Sequence, residues 1–175
     1  MGDNTKSKFY LEKALELAYK LNDEPMICGI LVNLGELYQK DKQYDLAMDY
    51  YLKGLNNPAI NNIPDQKIYT LHNISTVYYD LKDFRNAIKH AEMAVSIAEN
   101  LNITIHNVEL YKVLAESYEQ INDYKTALEN HKLYKIYNDS IFNIQSTEKI
   151  TEIQSEYDFE AAENENDILK KDNQI

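Results

Sequence analysis

The side chains able to do chemistry near neutral pH are one cysteine, Cys28, and four histidines, His72, His90, His106 and His131. A thiol nucleophile needs a neighbouring base. Cys28 instead follows Ile27 in an apolar stretch, with no His–Asp pairing in view, and reads as a small buried hydrophobe. Zinc needs ligands paired at short helical spacing. Four residues after His90 stands Ala94, and four after His106 stands Leu110, so the histidines read as groove or surface residues and not as a metal site. No G-x-x-x-x-G-K-[ST] or G-x-G-x-x-G loop is present to cradle a phosphate. The carboxylates spread over polar faces and form no acid–base pair. Three Asn-x-Ser/Thr triplets begin at Asn73, Asn102 and Asn138, and chance accounts for them in a chain rich in asparagine. The expectation is a protein that is not an enzyme, with no cofactor and no metal.

Composition narrows the class further. The 175 residues are 44% hydrophobic, enough for a sizeable core, and carry 29 acidic against 18 basic side chains, a formal charge of −11. Phosphate backbones need clustered Lys and Arg, so nucleic acid is excluded as a partner. No apolar run reaches the length that spans a bilayer, and the N-terminal MGDNTKSKFY lacks the apolar core of a signal peptide. Any membrane link would run through a segment beyond Ile175. The last glycine is Gly54 and the last proline Pro64. More than a hundred residues without either points to helices.

Those helices repeat every forty residues. Leu34, Ile74 and Leu114 share one column. Others hold Tyr38, Tyr78 and Tyr118; Tyr44, Phe84 and Tyr124; Ala47, Ala87 and Ala127; and Gly35, Ser75 and Ala115. Within a unit, apolar residues recur at three- and four-residue steps, as in Ile27, Ile30, Leu31, Leu34, Leu37 and Tyr38. A short polar turn follows, such as Asp41-Lys42-Gln43, and then a second amphipathic helix. Each unit is a helical hairpin, with Gly35, Ser75 and Ala115 opposite the alanine column so that the helix axes approach closely. ALELAYKLN at 14–22 lies eighty residues before AVSIAENLN at 94–102, so the chain opens inside a repeat. The organisation read from this is a half repeat at 5–22 and full repeats at 26–57, 66–101 and 106–143, with a separate acidic helix at 144–175.

NLGELY at 33–38, followed by Tyr44, Ala47 and Tyr51, resembles the tetratricopeptide repeat. The resemblance covers about residues 7–143. Two features depart from the usual pattern. Leu31, Leu71 and Tyr111 stand where the family has tryptophan, and the closing proline is missing. The resemblance implies an all-α, right-handed superhelical array of α-α hairpins. It also implies that the first helices line a concave groove for a protein or peptide. The groove residues are then Asn33 and Glu36 in the first repeat, Tyr69, His72, Asn73 and Thr76 in the second, and Lys112 and Glu116 in the third. In peptide-binding members an asparagine at the place of Asn33 and Asn73 clamps ligand backbone, for which an amide's donor and acceptor suit. Val113 holds that place in the third repeat. Clamp and plain solvated face are both open readings of Asn33 and Asn73.

The tail differs in kind. Residues 145–175 carry nine acidic and three basic groups, more than half the net charge of the chain. Ile150, Ile153, Tyr157 and Ile168 form an apolar stripe that approximates a heptad seam, broken by Glu160 and Asn164. Two partners fit it: the last hairpin, or the same helix of a second chain in a weak homodimer that serves as a coiled-coil stalk. The stretch Asp139-Ser-Ile-Phe-Asn143, with Ile150, Ile153, Gln154, Tyr157, Glu160 and Ile168-Leu-Lys-Lys171, resembles the repeat-to-helix junction of Bacteroidetes-type sensor histidine kinases and tetratricopeptide-containing transcriptional regulators. That resemblance implies the sensory or scaffold part of a larger signal-transduction protein, of the two-component kind. It would lie on the extracytoplasmic, periplasmic side of a membrane; without the resemblance a cytoplasmic place is expected. The half repeat at the start and the missing output domain imply a piece excised from a longer protein. The alternative is structural self-association with an empty groove.

Overall fold

A computed structural model describes the backbone of residues 2–172 and the side chains of 4–144, 147–155, 157 and 159. The elements are α1 (Gly2–Leu21), α2 (Glu24–Lys40), α3 (Tyr44–Asn56), a 3₁₀ turn (Pro58–Asn62), α4 (Pro64–Asp80), α5 (Phe84–Leu101), α6 (Asn107–Gln120) and α7 (Tyr124–Asp172). The fold is an all-α array of hairpins, and no strand occurs among the described residues.

The forty-residue step is visible in the backbone itself. Each hairpin turn places one residue in the left-handed region: Lys42 (φ 58°), Lys82 (φ 62°) and Asn122 (φ 63°). The second helices α1 and α5 end the same way, on Asn22 (φ 52°) and Asn102 (φ 55°). Asparagine tolerates this conformation, whereas lysine adopts it at a steric cost. After the turn, the Asp83 and Asp123 carboxylates accept the backbone N–H of Asn86 and Thr126 at 3.2 Å, capping α5 and α7. Gln43, in the same column, makes no such side-chain bond to α3.

Packing follows the columns. Leu34 and Ile74 are completely buried and Leu114 nearly so, as are Ala47 and Ala87, with Ala127 8% exposed. The small-residue column works differently from the expected close approach of axes. A Cβ on Gly35 would stand 2.5 Å from the ring of Tyr51, which is itself wholly buried. The missing side chain houses an aromatic ring. Sixteen residues after Ser75 and Ala115, where side chains are present, stand Ala91 and His131. Cys28 is buried, with its Sγ 3.9 Å from the Gly54 carbonyl oxygen, and burial raises the thiol's pKa.

The chain divides into two compact units, 1–135 and 136–175. The first holds the hairpins. In the second, Ile150, Ile153 and Tyr157 are exposed, at 67, 54 and 66%. The side chain of Ile168 lies outside the described residues. The expected change of element after residue 143 is absent from the backbone, because α7 runs unbroken through it. Nothing between 124 and 172 is Gly or Pro, and the hydroxyls of Thr147 and Thr151 donate back to the carbonyls of Asn143 and Thr147 within the helix.

Candidate functional site: a hollow between the first helices

The first helices α2, α4 and α6 lie side by side, α4 touching both others. Between α2 and α4 lies a hollow of about 470 Å³ lined by Glu36, Gln39, Lys40, Lys42, Tyr44, Tyr69, His72, Asn73, Thr76 and Asp80. That volume lies in the usual range of ligand-sized clefts. Five of the expected groove residues therefore converge: Glu36, Tyr69, His72, Asn73 and Thr76.

The others go elsewhere. Asn33 is exposed and lines a neighbouring hollow with Ser7, Tyr10, Leu11, Glu36 and Leu37. Asn73, forty residues on, is only 7% exposed. The difference is positional, since α4 has a first helix on each side while α2 has one on one side only. Glu116 lines a third hollow on the last hairpin, and Lys112 is exposed. Val113, the column equivalent of Asn33, is 5% exposed and belongs to the core, as does the fully buried Val32. A continuous asparagine ladder therefore does not exist.

The walls of the hollow are tied into the core. Tyr51 donates its hydroxyl to Gln39 Oε1 at 2.8 Å, and Gln39 Nε2 donates to Thr76 Oγ1 at 2.9 Å. This relay joins α3, α2 and α4. Desolvation holds the Tyr51 phenol far above its ordinary pKa. The rings of Tyr69 and His106 lie 5.6 Å apart by centroid, and those of Tyr69 and His72 6.5 Å. Burial, with His106 nearby, drives the His72 pKa down to about 4, so the ring is neutral at pH 7. Burial and then the Glu36 carboxylate within hydrogen-bonding reach raise the pKa of Tyr69. Asn73 stands among these groups with its amide within hydrogen-bonding reach of the Tyr69 and His72 side chains, yet its buried Nδ2 makes no hydrogen bond of good geometry among the described residues.

Four lining residues, Lys40, Lys42, Tyr44 and Asp80, were not legible as site residues. Lys42 reaches the hollow through its left-handed turn, and Tyr44 reads from sequence as a packing residue before Ala47. Asp80 lies at the end of α4, where its carboxylate is within hydrogen-bonding reach of the Tyr44 hydroxyl. The hollow offers neutral and charged hydrogen-bonding groups around an aromatic patch. Among the described residues, no group of three His, Cys, Asp or Glu side chains is arranged to hold a metal.

Residues 29–57 and 68–102 each match a sequence profile of the tetratricopeptide repeat. These are tetratricopeptide repeats. Response regulator aspartate phosphatase A of Bacillus subtilis (strain 168) is 28% identical over 134 residues, covering 71% of this chain. The chain spans about a third of that relative's length, 34%. Among solved structures, BtubC (BKLC) from P. vanneervenii superposes with a TM-score of 0.69 at 18% identity, over 80% of this chain and 58% of that one. At that identity the match supports the fold alone. Among the described residues no helix is long and apolar enough to cross a membrane.

Proposed function

We propose that the array is a non-enzymatic recognition domain whose α2–α4 hollow takes an extended protein or peptide segment, within a larger signal-transduction protein. The observation that carries this is Asn73. Burying an amide N–H without a partner costs free energy, and a ligand carbonyl at that place recovers it. The surrounding Glu36, Tyr69 and Thr76 supply further polar contacts at one wall. The signalling context draws on the printed name of the Bacillus relative and on the sensor-like junction after residue 137.

The test is selection of binders from a random decapeptide library, followed by titration of the enriched peptide against variants. Asn73→Ala should weaken binding by about two- to tenfold with helicity intact. Asn33→Ala, outside the hollow, should change it less. No enrichment over a denatured control, or a binder indifferent to Asn73→Ala, would refute the reading.

A second reading is self-association through the tail, favoured by the exposed Ile150, Ile153 and Tyr157 at heptad spacing. Two acidic tails repel, so the dimer should tighten as salt rises. Sedimentation at low and high salt, with and without residues 145–175, checks it.

A further inference from the structure

The α2–α4 hollow runs along its two helices. On α4 it meets Tyr69, His72, Asn73, Thr76 and Asp80 in turn. At the Asp80 end, Lys42 and Tyr44 also line a second hollow, of about 360 Å³, together with Gln43, Asp45, Leu46 and Leu81. The two hollows share these walls and are continuous past the Tyr44 side chain. The second opens at the turn edge of the array, where Leu46 is 45% and Leu81 50% exposed.

The repeat does not supply this second hollow everywhere. Forty residues on, Asn86 stands in the place of Leu46, and its backbone N–H and Nδ2 donate to the Asp83 carboxylate at 3.2 and 2.7 Å. Forty further, the backbone N–H and hydroxyl of Thr126 donate to Asp123 at 3.2 and 2.8 Å. Phe84 replaces Tyr44 and Gln120 replaces Asp80, so the hydroxyl–carboxylate pair of the first turn is not repeated at the second. Of these three turns, the first alone places a leucine there, and its Gln43 makes no side-chain bond to α3. A single exposed leucine carries little meaning. Two leucines lining one open hollow, where the later turns put a tied polar residue, mark a seat for an apolar group, because contact removes both from water.

We propose that this turn-edge hollow is an apolar subsite for the same extended segment that occupies the α2–α4 hollow; the inference rests on that reading. The segment runs parallel to α4 with one backbone carbonyl at Asn73 Nδ2, passes Tyr44 and seats a large apolar side chain between Leu46 and Leu81. The helix sets the spacing. Asn73 and Leu81 are eight residues apart, about 12 Å of helix axis, which an extended peptide crosses in about four residues. On the rim, Gln43 and Lys42 can donate to its backbone carbonyls. A second copy of the chain is a poor occupant, because its described residues lie almost wholly in helices and offer no extended segment of that length beside an apolar anchor.

The probe is the fluorescein-labelled decapeptide enriched from the random library, with single-serine versions of it, titrated by anisotropy against the whole chain. Serine at one large apolar position should weaken binding about tenfold. Leu46→Asn, which copies the second turn, and Leu81→Asn should each weaken the parent peptide about five- to tenfold, with circular dichroism unchanged. Against Leu46→Asn the serine peptide should lose less than about twofold more, since the two changes remove one contact. Leu101→Asn, at an exposed leucine lining neither hollow, leaves binding unchanged. A peptide weakened by Asn73→Ala but indifferent to both leucine variants overturns the subsite and leaves the α2–α4 hollow standing. A peptide weakened by the leucine variants but indifferent to Asn73→Ala separates the two hollows and overturns their joint use. Equal loss with Leu101→Asn overturns the subsite too, and no enrichment removes both readings together. Sedimentation in which the parent dimerises and Leu46→Asn does not would give the turn edge to a second copy and overturn the proposal as well.

Discussion

The α3–α4 junction and the open face of α7 descend from the same columns yet have opposite solvent exposure. At the first, Tyr51 is buried in the space left by Gly35, and its hydroxyl begins the relay through Gln39 to Thr76. At the second, the columns hold Ala115 and His131, and the ring stands in water. One position thus serves as a core anchor where a following helix covers it and as surface where none does. Column identity sets which side chains face the next repeat; the presence of that repeat decides how much each is worth.

The contrast can be broken most strongly at the anchor. Tyr51→Ala should cost about 3–5 kcal/mol, the usual range for losing a buried aromatic ring, whereas His131→Ala should stay within about 0.5 kcal/mol. Denaturant melts of the two variants decide it, and equal losses would mean the junctions are energetically alike. Acid offers the next largest effect. The folded pKa of His72, about 4, lies below the ordinary 6.5. Above about pH 6.5 the ring is neutral whether folded or unfolded, and this contribution to stability is fully present. As pH falls from there towards 4, the unfolded chain takes up a proton that the folded chain refuses, and stability drops by up to about 3 kcal/mol. His72→Gln should flatten that part of the stability profile; an unchanged slope between pH 6.5 and 4 would contradict the buried neutral imidazole.

Overpacking sharpens the comparison at smaller scale. Ala87→Leu, beneath a covering helix, should cost about 1–3 kcal/mol. Ala127→Leu, at the open face, should cost clearly less, and thermal unfolding measures the gap. The smallest effect is a gain. Gln43→Asp would give α3 the cap that Asp83 and Asp123 give α5 and α7, raising stability by about 1 kcal/mol. No rise in melting temperature would mean that the α3 entry geometry excludes the cap.

Residue type and spacing were sufficient for the hairpins, their forty-residue step and most of the core, because helix periodicity and small-residue columns are local facts written along the chain. Leu34, Ile74 and Ala47 could be placed inside without knowing what covers them. Five of the groove residues, Glu36, Tyr69, His72, Asn73 and Thr76, were legible through the tetratricopeptide resemblance, which assigns the groove to the first helices. Tertiary structure decided the rest. It buried Asn73 and left Asn33 exposed, put Val113 in the core, brought Lys42, Tyr44 and Asp80 into the hollow, carried α7 through residue 143 and left Leu128 in water. Burial is a property of neighbours, and the neighbours of a repeat's end columns come from other repeats; identical residue patterns therefore acquire different environments according to where in the stack they stand.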